Sequence, residues 1–374
     1  MRRAMLLGFL VFAGCQPHEL DPVKPAGAKI AAPPELQIAQ PYPADVIFVV
    51  DRSGSMSDAA DGSAAGVCGQ AGQQNQNCKW DELLTVLTGD QNPNKGFLRE
   101  MQGAFSTSTD AMRMGLVTFS GAPGTTSDIN EACSPGVLQV PVGANAADAV
   151  AAALEAIPPA GATPTSSSLE VAAQAFPAND PRPKLVVLLT DGAPNCNANV
   201  AIDQTTCGGD RCTMTCDTNG VATDARGCLD QSGLIAAIDD LHNQGISTFV
   251  IGFGADVTTG AAYLTLNEAA QHGGLAQSGT PSFYPASNDA ELQHALQQVQ
   301  GNPTCTYDLG GTPVSADTLE VQVTFCGQQP ELVAASHFSL NGQLLSFTDQ
   351  ALCTQMQQAS PACPTQVKFA YLAQ

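Results

Sequence analysis

The sequence predicts an α/β fold: a doubly wound, mostly parallel sheet followed by a small C-terminal disulfide-stapled β domain, in a chain of 374 residues. Three observations predict it. The runs DVIFVV (45–50), MGLVTFS (114–120), KLVVLLT (184–190) and STFVIGFG (247–254) are apolar and rich in β-branched residues, as in strands buried on both faces. Helix-length segments separate these runs, and strand–helix alternation over roughly 250 residues winds into a parallel sheet. Beyond Pro303 the period changes to two, as in half-buried antiparallel strands.

The elements follow in order. Residues 1–14, MRRAMLLGFLVFAG, carry two arginines and then an apolar stretch too short to span a bilayer, which is the layout of a signal peptide. The small residues Ala13 and Gly14 precede Cys15, and this resembles the lipobox of bacterial lipoproteins, with Phe12 where Leu is usual. The resemblance implies that Cys15 is lipidated and that the protein is exported and anchored in the cell envelope. Gln16 after the anchor points to the outer membrane. An ordinary secretory signal cleaved nearby is the competing reading. Residues 15–43 then read as anchor and tether, with seven prolines between 16 and 43 and no regular period.

The α/β domain is expected over 44–300. Helices are predicted at Trp80–Thr88, Phe97–Phe105, Ala146–Ile157, Ser166–Phe176, Ser232–Asn243, Ala261–Gln271 and Asp289–Gln300, with a last short strand at 282–284. Trp80 is expected to pack the first helix against the sheet. Cysteine-bearing insertions at 57–79 and 192–230 interrupt the pattern, both leaving from carboxyl ends of strands. Without them roughly 200 residues remain, an ordinary domain size. In 301–374, TLEVQVTF (318–325) and QVKFAYL (366–372) alternate, and Asn341-Gly342 between apolar runs marks a hairpin.

Charge excludes some functions. Only 13% of residues are charged, 35 acidic against 14 basic, for a net of −21. Such a surface repels phosphate backbones and anionic headgroups, so nucleic acid is not an expected partner and membrane contact is expected through the anchor alone. Of 13 cysteines, Cys15 takes lipid and twelve remain to pair in an oxidising compartment. Short loops favour Cys68–Cys78 and Cys353–Cys363. Cys207, Cys212 and Cys216 have no nearby His and no zinc-finger spacing, which favours disulfides over zinc. DTNG (217–220) begins like a calcium loop but lacks its later ligands, and reads as a turn.

The chemistry concentrates where DVIFVV runs into DRSGSM. Asp51, Ser53 and Ser55 put three oxygen-bearing side chains in one tight loop, a donor set for a hard cation such as Mg²⁺. GATPT (161–165) offers Thr163 before a helix, and LLTDG (188–192) offers Asp191 at the end of another strand. Both aspartates are expected on solvent-facing loops. DRSGSM, GATPT and LLTDG, in this order, resemble the von Willebrand factor type A (VWA) domain, and TFVIGFG (248–254) and SFYPASNDAELQHAL (282–296) extend the likeness over 44–300. The resemblance implies that Asp51, Ser53, Ser55, Thr163 and Asp191 form a metal-ion-dependent adhesion site. Mg²⁺ is the expected ion, with Mn²⁺ or Ca²⁺ as substitutes, and an acidic residue of a protein ligand completes its shell. Ala162 stands where a second glycine is commoner. The alternative is a structural envelope component whose metal only stabilises the domain. No catalytic or organic-cofactor residues are expected: the histidines are scattered and no acid/base pair can be named.

Overall fold

The computed structural model describes residues 36–63, 78–89, 95–104, 112–121, 128–198, 224–300, 304–325, 328–357 and 365–371. Residues 1–35 with Cys15, Cys68, Cys207, Cys212, Cys216, Cys326, Cys363 and the DTNG turn lie outside them, as does much of both insertions. Among the described residues no helix is long and apolar enough to cross a membrane.

Two short strands, β1 (Gln37–Ile38) and β2 (Gln40–Pro41), come first. The α/β part then runs β3 (Asp45–Asp51), α1 (Lys79–Thr88), α2 (Phe97–Ala104), β4 (Arg113–Phe119), α3 (Ile129–Ala132), β5 (Val137–Ala144), α4 (Ala147–Ala156), α5 (Thr165–Ala175), β6 (Lys184–Thr190), α6 (Gln231–Asn243), β7 (Ile246–Phe253), α7 (Gly260–His272), β8 (Tyr284–Ala286) and α8 (Asp289–Gln300). The six strands form one sheet in the order β5-β4-β3-β6-β7-β8. All its pairings are parallel except that of the edge strand β5 with β4. β3 shows why the sheet is covered on both sides. Val46, Phe48 and Val50 face a layer containing Trp80, Leu83, Leu98, Val150 and Leu292. Ile47 and Val49 alternate onto the other face with Leu169, Leu234, Ile238 and Leu266. Because β4 and β6 flank β3, the winding reverses beside β3, and the carboxyl ends of β3 and β6 are where open α/β sheets of this kind bind ligands.

The C-terminal part contains β9 (Thr306–Asp308), β10 (Leu319–Thr324), β11 (Glu331–Val333), β12 (Phe338–Asn341), β13 (Leu344–Phe347), α9 (Gln350–Gln357) and β14 (Gln366–Tyr371). Two four-stranded sheets, β1-β14-β10-β11 and β12-β13-β9-β2, share a core of Val321, Val323 and Phe369 with Tyr307, Leu345 and Phe347. The predicted hairpin turns at Gly342, whose φ of +62° suits glycine. A tether through residue 43 is too long: Gln37–Ile38 pairs with β14 and Gln40–Pro41 with β9, so the last of these residues complete both sheets. Proline is tolerated there because β2 is an edge strand.

Of the two expected local pairs, Cys68–Cys78 lies outside the described residues and Cys353–Cys363 does not form. Cys353 bonds Cys305, not Cys363, and so staples α9 to the entry of β9 across 48 residues. Cys133 bonds Cys196 across 63 residues, joining the end of α3 to the second insertion. Cys78 and Cys228 are also disulfide-bonded.

Candidate metal centre

β3 ends on Asp51, and the chain turns sharply through 52–57 at the carboxyl edge of the sheet. One Asp51 oxygen accepts the Ser53 N–H at 2.7 Å, and the other accepts the Thr190 hydroxyl from the neighbouring β6 at 2.6 Å. The Ser53 hydroxyl lies 3.1 Å from that of Ser55, and Ser55 donates to Asp191 at 3.0 Å. A continuous row of oxygens therefore runs Asp51, Ser53, Ser55, Asp191. Ser55 is exposed and the other three are buried, so the row opens to solvent at Ser55.

Thr163 reaches the same edge on its own turn. Ala160 N–H donates to the Arg52 carbonyl at 2.6 Å, and Gly54 N–H donates to that of Gly161 at 3.0 Å. Gly161 has φ +91°, a conformation that L side chains rarely adopt. Among the described residues nothing hydrogen-bonds the Thr163 hydroxyl, and Thr163 is only 6% exposed. Ala162, the departure from the usual glycine, packs its methyl with the Cys133–Cys196 disulfide and Ala132.

Neither aspartate faces solvent, contrary to the sequence expectation: Asp51 is 0% and Asp191 1% exposed. They sit where parallel strands end beneath the connecting loops. Burial and the charge of Asp191 push the Asp51 carboxyl up to about 7. Burial also raises Asp191, against the pull of Lys79 and the Ser55 hydrogen bond.

Lys79 also reaches this site, and sequence reasoning missed it. Its amine donates to Asp191 at 2.8 Å and to Asp256 at 2.5 Å. Burial works against its charge, but the two aspartates hold it above the ordinary lysine value. Thr190 was missed as well, although the signal was present: it directly precedes Asp191 in LLTDG. Arg52 braces the loop, its guanidinium donating to the Ser120 carbonyl at 3.0 Å and that of Pro158 at 2.8 Å.

Two carboxylates and three hydroxyls are a hard, all-oxygen donor set. Among the described residues no group of three or more His, Cys, Asp or Glu gathers to hold a metal, and the donor set here depends on its hydroxyls. A buried Asp51 carboxyl that burial and Asp191 disfavour as a charged group is what a divalent cation at this row would satisfy.

No family model matches the chain, and no curated protein does. Solved structures similar to it include the conserved hypothetical protein BatB from Bacteroides thetaiotaomicron, at 13% identity over 68% of this chain and 98% of that one, with a TM-score of 0.38. The PilB minor pilin from Streptococcus sanguinis is 17% identical over 71% of this chain and 62% of its own, with a TM-score of 0.46. The vWF domain of the type V pili tip protein Mfa5 from Porphyromonas gingivalis is 12% identical over 70% of this chain and 95% of its own, with a TM-score of 0.43. These likenesses are distant, and the fold rests on the strand order given above.

Proposed function

We propose that the chain is an exported, lipid-anchored VWA protein that binds protein ligands through a divalent cation, Mg²⁺ first, at Asp51, Ser53, Ser55, Thr163 and Asp191. One observation carries this reading: the hydrogen-bonded row from Asp51 through Ser53 and Ser55 to Asp191 at the carboxyl ends of β3 and β6. Bound there, the cation would supply an electrophilic site for a carboxylate. The chain's own groups do the rest. Ser53, Ser55 and Thr163 offer neutral hydroxyls, so little of the ion's charge is cancelled by direct ligands. Asp51 and Asp191 fix the hydroxyls and hold water rather than crowding the ion. An acidic side chain of a partner then completes the shell, which is binding and not turnover.

The test is retention of a cell-surface protein fraction on the immobilised chain. Retention in Mg²⁺ that is lost in EDTA, and lost in Asp51→Asn, supports the reading. Retention indifferent to EDTA would favour the structural alternative, in which the metal serves only the fold.

A further inference from the structure

Lys79 has a cost that the fold alone does not justify. It is the first residue of α1, where the helix dipole disfavours a cation, and its side chain is 1% exposed. Its stem runs past Gly254, where an added Cβ would lie 2.7 Å from the lysine Cε, so the backbone there leaves room for it. The amine meets Asp191 on its inner side and Asp256, 60% exposed, on its outer side.

The consequence is a division of Asp191 between two tasks. Its Oδ1 accepts the Ser55 hydroxyl, while its Oδ2 is held by the lysine. A carboxylate tied up in this way cannot turn both oxygens toward a cation beside Ser55.

We propose that Lys79 is a positioning residue that occupies one oxygen of Asp191 and offsets its charge, so that Asp191 serves the cation through Ser55 and the ion keeps its charge for an external carboxylate. The inference rests on the metal-binding reading above. It also sets ion preference. Ca²⁺ takes six to eight oxygens and readily uses a bidentate carboxylate, whereas Mg²⁺ keeps to six and to water. A lysine that withholds a carboxylate therefore costs Ca²⁺ more than Mg²⁺.

The experiment is calorimetric titration of Mg²⁺ and of Ca²⁺ into the EDTA-treated chain, wild type beside Lys79→Met and Lys79→Gln. Met keeps the apolar stem without the charge. Gln keeps a donor for Asp191 and guards against a Met variant that does not fold, which near-UV circular dichroism would reveal. Releasing Asp191 should tighten cation binding by about tenfold or more, since a like charge close to the ion has been removed. The gain should be larger for Ca²⁺ than for Mg²⁺, and smaller in the Gln variant. A lysine that merely supports the fold would instead weaken binding or leave it alone when lost. Unchanged or weaker binding in a folded variant, with the wild type binding normally, would overturn the role of Lys79. A wild type that binds neither ion would overturn the metal site itself.

Discussion

Strand β3 begins and ends on a buried aspartate, and the two ends of the strand treat their charge in opposite ways. At the amino end Asp45, 0% exposed, receives a two-pronged guanidinium contact from Arg113 at 2.6 and 2.5 Å, and Arg113 also donates to Asp180 at 2.5 Å. At the carboxyl end Asp51, equally buried, forms no salt bridge among the described residues. The fold knows how to neutralise a buried carboxylate and does so at one end. The other is left to the Thr190 hydroxyl and the Ser53 N–H, the arrangement that the cation site proposed above calls for. The same contrast holds within the site, where Asp191 has its lysine and Asp51 has none.

Removing the partner at the amino end should have the largest effect. Arg113→Met strands Asp45 without its counter-ion and should cost about 3–5 kcal/mol of stability, as breaking a buried pair does. Urea unfolding measures it, with divalent cation making no difference to the loss. A cost that cation repairs would show the two ends to be coupled rather than separate.

The disulfide comes next. Replacing Cys133 and Cys196 together by Ser should cost about 2–4 kcal/mol, the usual range for a native bridge. Because that bridge packs on Ala162, beside Thr163, it should also weaken cation binding by roughly threefold, a small loss of ligand positioning. Calorimetry on the folded variant reads the second effect. Undiminished cation affinity would show that the Thr163 turn holds without its buttress.

A smaller effect is in pH. The Asp51 carboxyl ordinarily ionises near 3.8 and in the fold near about 7. Between those values the folded protein holds a proton that the unfolded chain has released, so metal-free stability falls as pH rises from 4 to 7 and levels off above. Other buried carboxyls add to the slope, so the quantity to follow is the difference between wild type and Asp51→Asn. That difference should grow in favour of the variant across the window, read as the melting temperature in EDTA at pH 4.5, 6 and 7.5. No growth would mean that Asp51 is already neutralised.

What was legible in the sequence divides along the same physical line. Strands buried on both faces announce themselves, and β3, β4, β6 and β7 stand within a residue or so of where their apolar runs place them. Edge strands do not. VLQVPVGA (137–144) is half exposed and holds Pro141 and Gly143, so β5 carries no run to read. Residues 37–41 look like tether because their partners lie at the far end of the chain. The helix QALCTQMQ (350–357) is too polar to show a stripe. At the site, Asp51, Ser53, Ser55, Thr163 and Asp191 were readable because each sits at a strand or turn end with a motif around it. Lys79 was not: in sequence it is an ordinary lysine at the start of a helix, and only the winding of the sheet sets it against Asp191, 112 residues away. The Cys353–Cys363 pairing failed for a related reason, since loop length favours near cysteines whereas Cys353 bonds Cys305, 48 residues away.

The most direct measurement of a divalent cation at the oxygen row beginning at Asp51 is a pair of thermal melts, in EDTA and in saturating Mg²⁺, for wild type and Asp51→Asn, with calorimetric affinities alongside. The wild type should gain melting temperature with Mg²⁺. The variant should keep native circular dichroism, melt in EDTA at or slightly above the wild type, and bind the cation about 10–100-fold more weakly, as loss of a ligand-orienting carboxylate does. A variant whose melting temperature rises with Mg²⁺ as far as the wild type's would contradict the account.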